Sequence, residues 1–137
     1  MKIVLPQPAA ESAIDQWGYT LPAAPLTVEC AVVGGNNGRP FGKSLAVETP
    51  ADAWPDRPFV VVQGLDGARV QGLESLVTFT HPDDAVYYFG RDIGHMTADE
   101  WDREPDHIIY VPTKAGTSLY SAVAFWTVMY DLAVKSG

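Results

Sequence analysis

Apolar residues come in short blocks along this chain, separated by polar stretches rich in proline and glycine. Lys2–Leu5 is a brief apolar run stopped by Pro6 and Pro8, and it reads as a strand. Residues 26–33 form a second, β-branched run, and residues 44–48 a short third one. Phe59–Gln63 is the clearest strand, because Phe-Val-Val-Val is apolar on both faces; residues 85–89 and 107–111 read alike. Continuous apolar strands, rather than alternating ones, predict a mainly parallel sheet covered on both sides.

Between the strands the signals are mixed. Residues 9–17 contain helix formers, with Ile14 and Trp17 three apart and Gly18 where a C-cap belongs. Pro22 and Pro25 make a stiff connection. Residues 34–42 form a polar, glycine-rich loop, and residues 50–58 are punctuated by Pro and Asp with room for one helical turn. Residues 66–80 are ambiguous, with a short helix expected near 73–76, and residues 98–103 read as a short exposed helix. The last element, residues 118–135, is the longest helix. Leu119, Val123, Trp126, Tyr130 and Ala133 share one face, and Ala122, Phe125, Met129 and Leu132 an adjoining one. Only a narrow polar stripe remains, through Ser121, Thr127, Asp131 and Lys135. A helix apolar over most of its girth wants two partners, and the sheet supplies one. A second subunit, or a deeper seat in its own domain, supplies the other.

Composition narrows the function. The 137 residues suit one domain, 1–137, and 47% hydrophobic with 19% charged residues excludes disorder. The net charge of −8 excludes bulk attraction to a phosphate backbone, so any polyanion must meet a local basic patch. A single cysteine, Cys30, excludes an intramolecular disulfide and a cysteine-based zinc site. No apolar run reaches the roughly 18 residues of a membrane span, and the start does not read as a signal peptide. The expectation is a cytoplasmic globular domain with no membrane or metal partner.

Few groups offer chemistry. The loop from Gly34 to Ser44 follows a strand and ends in Gly-Lys-Ser, which invites a phosphate-loop reading. The spacing fails, since Gly38 leaves only Arg39, Pro40 and Phe41 before Gly42, and Pro40 removes an amide. An exposed turn or a substrate loop carrying Arg39 and Lys43 remains. The histidines His81, His95 and His107 show no ligand spacing, and Cys30 sits mid-strand as an inert thiol would. Three strand ends say more. Phe59–Gln63 runs into Gly64, Phe89 into Gly90-Arg91-Asp92-Ile93-Gly94, and Tyr110-Val111-Pro112 into a short loop before Ser118-Leu119 and the long helix. Open α/β sheets bind ligands at the carboxyl ends of their strands, and glycine there permits close backbone approach.

At these residues the sequence resembles the SPOUT superfamily of S-adenosylmethionine-dependent RNA methyltransferases. Phe89-Gly90-Arg91-Asp92-Ile93-Gly94 is similar to the family's middle motif, and Val111-Pro112-Thr113 with Ser118-Leu119-Tyr120 to its last motif. The likeness runs from about residue 59 to the end. It implies an α/β fold with helices on both faces of the sheet and a C-terminal deep trefoil knot. It also implies a homodimer through the terminal helix and an RNA substrate. The implied donor contacts are Gln63, Gly64, Phe89, Gly90, Arg91, Tyr110, Val111, Pro112, Ser118 and Leu119. Arg39 and Asp92 are the catalytic candidates, Arg39 on its loop position alone. The departures are specific. The family's first-motif asparagine and arginine are absent from residues 9–18, where Ser12 falls near the arginine's place. Asp92 replaces a glutamate and Tyr120 an asparagine. Donor binding is therefore better matched than ribose 2′-O-methylation, and a catalytically silent, knotted donor-binding or dimerisation protein is the competing expectation.

Overall fold

The computed structural model describes residues 1–6, 24–34, 44–63, 73–89, 101–114, 119 and 121–136. Seven strands form one sheet: β1 (Lys2–Leu5), β2 (Glu29–Val33), β3 (Ser44–Val47), β4 (Phe59–Gln63), β5 (Leu73–Ser75), β6 (Val86–Phe89) and β7 (His107–Tyr110). Their order is β3-β2-β1-β6-β4-β7-β5, and every pairing is parallel. A 16-residue helix, α1 (Ser121–Ser136), ends the chain. Residues 9–18, the helix expected after β1, lie outside the described residues.

Side chains alternate between two cores, as the pleat requires. On one face Ile3, Leu5, Val32, Val60, Val62, Tyr87, Phe89 and Ile109 pack beneath α1. On the other, Val4, Ala31, Phe59, Val61, Val86 and Tyr88 gather under Ala53 and Trp101. All five residues of β4 and all four of β6 are buried. Parallel pairing explains this, since each crossover lays chain over a face of the sheet.

α1 runs from the carboxyl edge of the sheet back to its amino edge. Phe125 meets the Phe89 ring edge-on at 5.7 Å, and Lys135 reaches the carbonyls of Leu76 and Phe79. The face with Ala122, Phe125, Val128 and Met129 is buried, whereas Val123, Tyr130 and Val134 are exposed. Among the described residues no helix is long and apolar enough to cross a membrane.

Several local expectations are corrected. The second strand starts at Glu29 rather than residue 26, because its partner β1 starts at Lys2, which pairs with Glu29. Residues 73–75 are not helical but an edge strand on β7, followed by a 3-10 turn, Leu76–Thr78, whose Val77 amide donates to the Ser75 hydroxyl. Carbonyls and amides of β7 satisfy that backbone without a helix nucleus, which is costly for so few residues. Residues 101–103 turn rather than continue a helix, and Trp101 is buried on the sheet instead of exposed.

The amino edge is tied together by charge. Lys2 bonds Asp84 and lies 3.3 Å from Glu29, while Arg57 reaches Asp84 at 3.0 Å. The Lys2 ammonium holds the Asp84 carboxyl below its ordinary range, with Arg57 adding to the effect. A depressed carboxyl stabilises the fold above the unfolded value, and that contribution is lost as pH falls through the folded value. Acid unfolding should thus have a component below about pH 4 that Asp84→Asn removes. Asn tolerates the left-handed backbone at this position (φ 53°), so the variant isolates the charge. Chemical denaturation at pH 7 and pH 3 checks this, and an unchanged pH dependence contradicts it. In the core, Phe125→Ala should cost about 3–5 kcal/mol in urea unfolding.

Candidate functional site

The carboxyl ends of β6, β4, β7 and β5 lie side by side. Val62 pairs with Phe89, Gln63 with Tyr110, and Ser75 with Tyr110. The four ends span roughly 14 Å at the ordinary strand spacing. Gln63 is the buried polar residue among those described, with its side chain at the last position of a strand buried on both faces. Just beyond β7, Val111 is half-buried, and Leu119 comes in from the approach to α1. Both pack against the core beneath that helix. Pro112 is exposed.

Of the sequence-predicted residues, the fold thus brings together Gln63, Phe89, Tyr110, Val111, Pro112 and Leu119 at one edge. Arg39, Gly64, Gly90, Arg91, Asp92 and Ser118 lie outside the described residues. The edge offers apolar surface from Val111 and Leu119 and polar groups from Gln63 and Tyr110. That combination suits a flat heterocycle with a polar rim, such as adenosine. Lys114, four residues past the end of β7, is exposed.

The other described cations are all engaged within the protein. Lys2 and Arg57 serve the Asp84 network. Arg103 donates to the carbonyls of Trp54 and Arg57 and lies over the Phe59 ring at 5.0 Å. Lys135 binds the 76–79 carbonyls and Asp131. These engaged side chains offer a polyanion no free basic patch among the described residues.

The two described histidines are committed as well, and His95 lies outside the described residues. Nδ1 of His81 lies 2.6 Å from the Tyr87 hydroxyl and Nε2 lies 2.6 Å from Asp131. Nδ1 of His107 lies 2.7 Å from Glu74. Among the described residues no three His, Cys, Asp or Glu side chains group as a metal ion would need. Sequence reading missed the His81–Asp131 contact. The available signal was an acid and a base four apart, Asp131 and Lys135, on an otherwise apolar helix. The contact also changes the expected polar stripe, since Asp131 and Lys135 turn onto the protein rather than to solvent.

No family model matches this chain, and no curated protein matches it. Solved structures do. A probable methylase family protein from Haemophilus influenzae Rd KW20 superposes with a TM-score of 0.71 at 18% identity, over 98% of this chain and 65% of that one. A protein whose structure concerns 2-OH methylation of C/U34 on tRNA gives 0.68 at 16% identity, over 98% and 95%. The SpoU methyltransferase AviRb from Streptomyces viridochromogenes, in complex with AdoMet, gives 0.71 at 13% identity, over 99% and 57%. The chain thus spans slightly less than two thirds of the Haemophilus protein's length and just over half of AviRb's. At these identities the shared property is the fold: this chain has the α/β fold of the SpoU-type methyltransferases, as the sequence resemblance led us to expect.

Cys30 is no nucleophile in this fold. It is buried on β2, and burial pushes its thiol up to about 12. A thiol reagent at neutral pH should leave it unmodified in the native chain and react fully once the chain unfolds. Rapid modification under native conditions contradicts this placement.

Proposed function

We propose that this chain is an S-adenosylmethionine-dependent methyltransferase domain acting on RNA, either tRNA or rRNA. The observation that carries the reading is the edge where Phe89, Gln63 and Tyr110 end adjacent parallel strands beside Val111 and Leu119. It occurs in a fold shared with a SpoU methyltransferase seen with AdoMet. In this reading residues 1–137 form one cytoplasmic domain, with helices on both faces of the sheet and a C-terminal trefoil knot.

The donor would lie along that edge. Val111 and Leu119 would pack on the adenine, and the backbone at Gln63-Gly64, Phe89-Gly90-Arg91 and Tyr110-Val111-Pro112, with Ser118, would hold its polar rim. The sulfonium supplies an electrophilic methyl group. The chain's part is to position the acceptor and to take its proton, and Asp92 is the base. Arg39, Lys43, Arg91 and Lys114 would contact phosphates, because the other described cations are committed within the protein.

Two copies would pair through α1. Val123, Tyr130 and Val134 stand exposed on it, and Trp126, half-buried against the core, stacks on Tyr130 at 5.5 Å. Phe125 is fully buried in its own core and belongs to the fold. The −8 charge and the missing first-motif arginine favour the silent, donor-binding alternative, so the chemistry needs a direct test.

Tritiated-methyl transfer to total cellular RNA should be seen with the wild type and fall at least about 100-fold in Asp92→Asn, the scale of a lost general base. Neutralising Arg39 and Arg91 together should remove most RNA affinity, salt-sensitively, while donor affinity stays unchanged. Absence of transfer by a wild type that binds the donor would decide for the silent protein. Trp126→Asp should convert a dimer to monomer in sedimentation, by placing an unpaired charge in the interface. A wild type that sediments as a monomer at micromolar concentration contradicts the pairing.

A further inference from the structure

Apolar contact has no direction. A helix that is apolar on nearly every side can therefore bury one face or another at similar cost. α1 is such a helix, since its polar residues are only Ser121, Thr127, Asp131, Lys135 and Ser136. Thr127 and Ser136 commit their hydroxyls inside the helix, to the carbonyls of Val123 and Leu132. Those bonds survive any rotation of the helix against the sheet.

Asp131 and Lys135 do not behave this way, because both reach out of the helix. The Asp131 carboxylate accepts from His81 Nε2 at 2.6 Å, and the other ring nitrogen meets the Tyr87 hydroxyl at 2.6 Å. The His81 side chain is 4% exposed, and Tyr87 is a core residue of β6. The Phe79 ring meets His81 edge-on at 5.1 Å and fixes its plane. Lys135 Nζ donates to the carbonyls of Leu76 and Phe79, both at 2.8 Å, and lies 2.9 Å from Asp131. His81 and Lys135 together line an open cleft of about 580 Å³ at the amino edge.

We infer that the His81–Asp131–Lys135 cluster is a registry latch, which fixes the rotation and axial position of α1 so that Val123, Tyr130 and Val134, with the half-buried Trp126 stacked on Tyr130, face outward in one geometry for a second copy of this chain. The inference rests on the proposed dimer. Rotating the helix by one residue, about 100°, would carry Asp131 away from His81. Sliding it by one turn, about 5.4 Å, would withdraw Lys135 from its carbonyls. Hydrogen bonds are directional, so either move leaves Nε2 of the buried His81 ring without its Asp131 acceptor, while the Nδ1 contact to Tyr87 stays in place. Registry is the best-attested use of buried polar clusters, which often add little net stability.

The test is Asp131→Leu combined with Lys135→Leu in the full chain. Helix content and a cooperative melt should persist, because apolar replacements suit the packing. The α1 amide resonances should split into more than one set, its amide exchange should quicken at least tenfold, and sedimentation should change from one dimer to a mixture. Asp131→Asn, which keeps an acceptor for His81, should give a single wild-type-like set. A single resonance set with wild-type exchange in the double variant overturns the latch. If the wild type itself sediments as a monomer, the dimer reading fails, and the resonance comparison still decides the latch. If the double variant does not fold, Lys135→Met replaces it: split α1 resonances support the latch, and an unsplit wild-type spectrum overturns it.

Discussion

Parallel pairing sets the terms for the rest of this molecule. Two parallel strands cannot be joined by a hairpin, so each of the six described strands after β1 must be reached by a crossover. The central strands β6 and β4 are buried on both faces as a result. Each fully buried Val or Phe there contributes about 1.5–3 kcal/mol relative to exposure. The same geometry separates the two edges of the sheet by chemistry. The amino edge is closed by ion pairs around Lys2, Asp84 and Arg57. The carboxyl edge instead gathers Gln63, Tyr110, Val111 and Leu119, and that is where an open α/β sheet can accept a ligand.

α1 connects that edge to the rest of the domain. It begins next to Leu119, covers one core with Phe125, Val128 and Met129, and ends at the amino edge on Lys135. Its apolar side therefore holds the fold, its outer aromatic stripe is available for a second copy, and its two turned-in charges choose between those sides. A ligand at the carboxyl edge and a partner on α1 would then act through one rigid element, because the helix start and its latch belong to the same 16-residue segment.

Strands buried on both faces were legible as uninterrupted apolar runs, because nothing in their surroundings calls for a polar residue. β4, β6 and β7 appear within a residue of their expected bounds for that reason. β5 was not legible: Leu-Glu-Ser carries no strand pattern, and its pairing depends on β7, more than 30 residues later. The burial of Trp101 was hidden in the same way, within a run of acidic residues whose solvated appearance says nothing about one aromatic side chain. On α1 the polar positions were visible, but their direction depended on His81, fifty residues earlier. At the candidate site, the strand ends were readable from glycines following apolar runs. Which side chains meet across those ends follows from the sheet order, which local pattern does not contain.

The central claim is that the carboxyl edge binds the methyl donor. Calorimetric titration of the wild-type chain with S-adenosylmethionine tests it most directly, with Gly90→Val as the control, since a side chain at the residue directly following β6 would block backbone approach by the donor while leaving the sheet intact. The account predicts saturable heat at about one donor per chain for the wild type and none for a folded Gly90→Val. Absence of heat and of any thermal shift at saturating donor, in a wild-type chain that is folded, would contradict it.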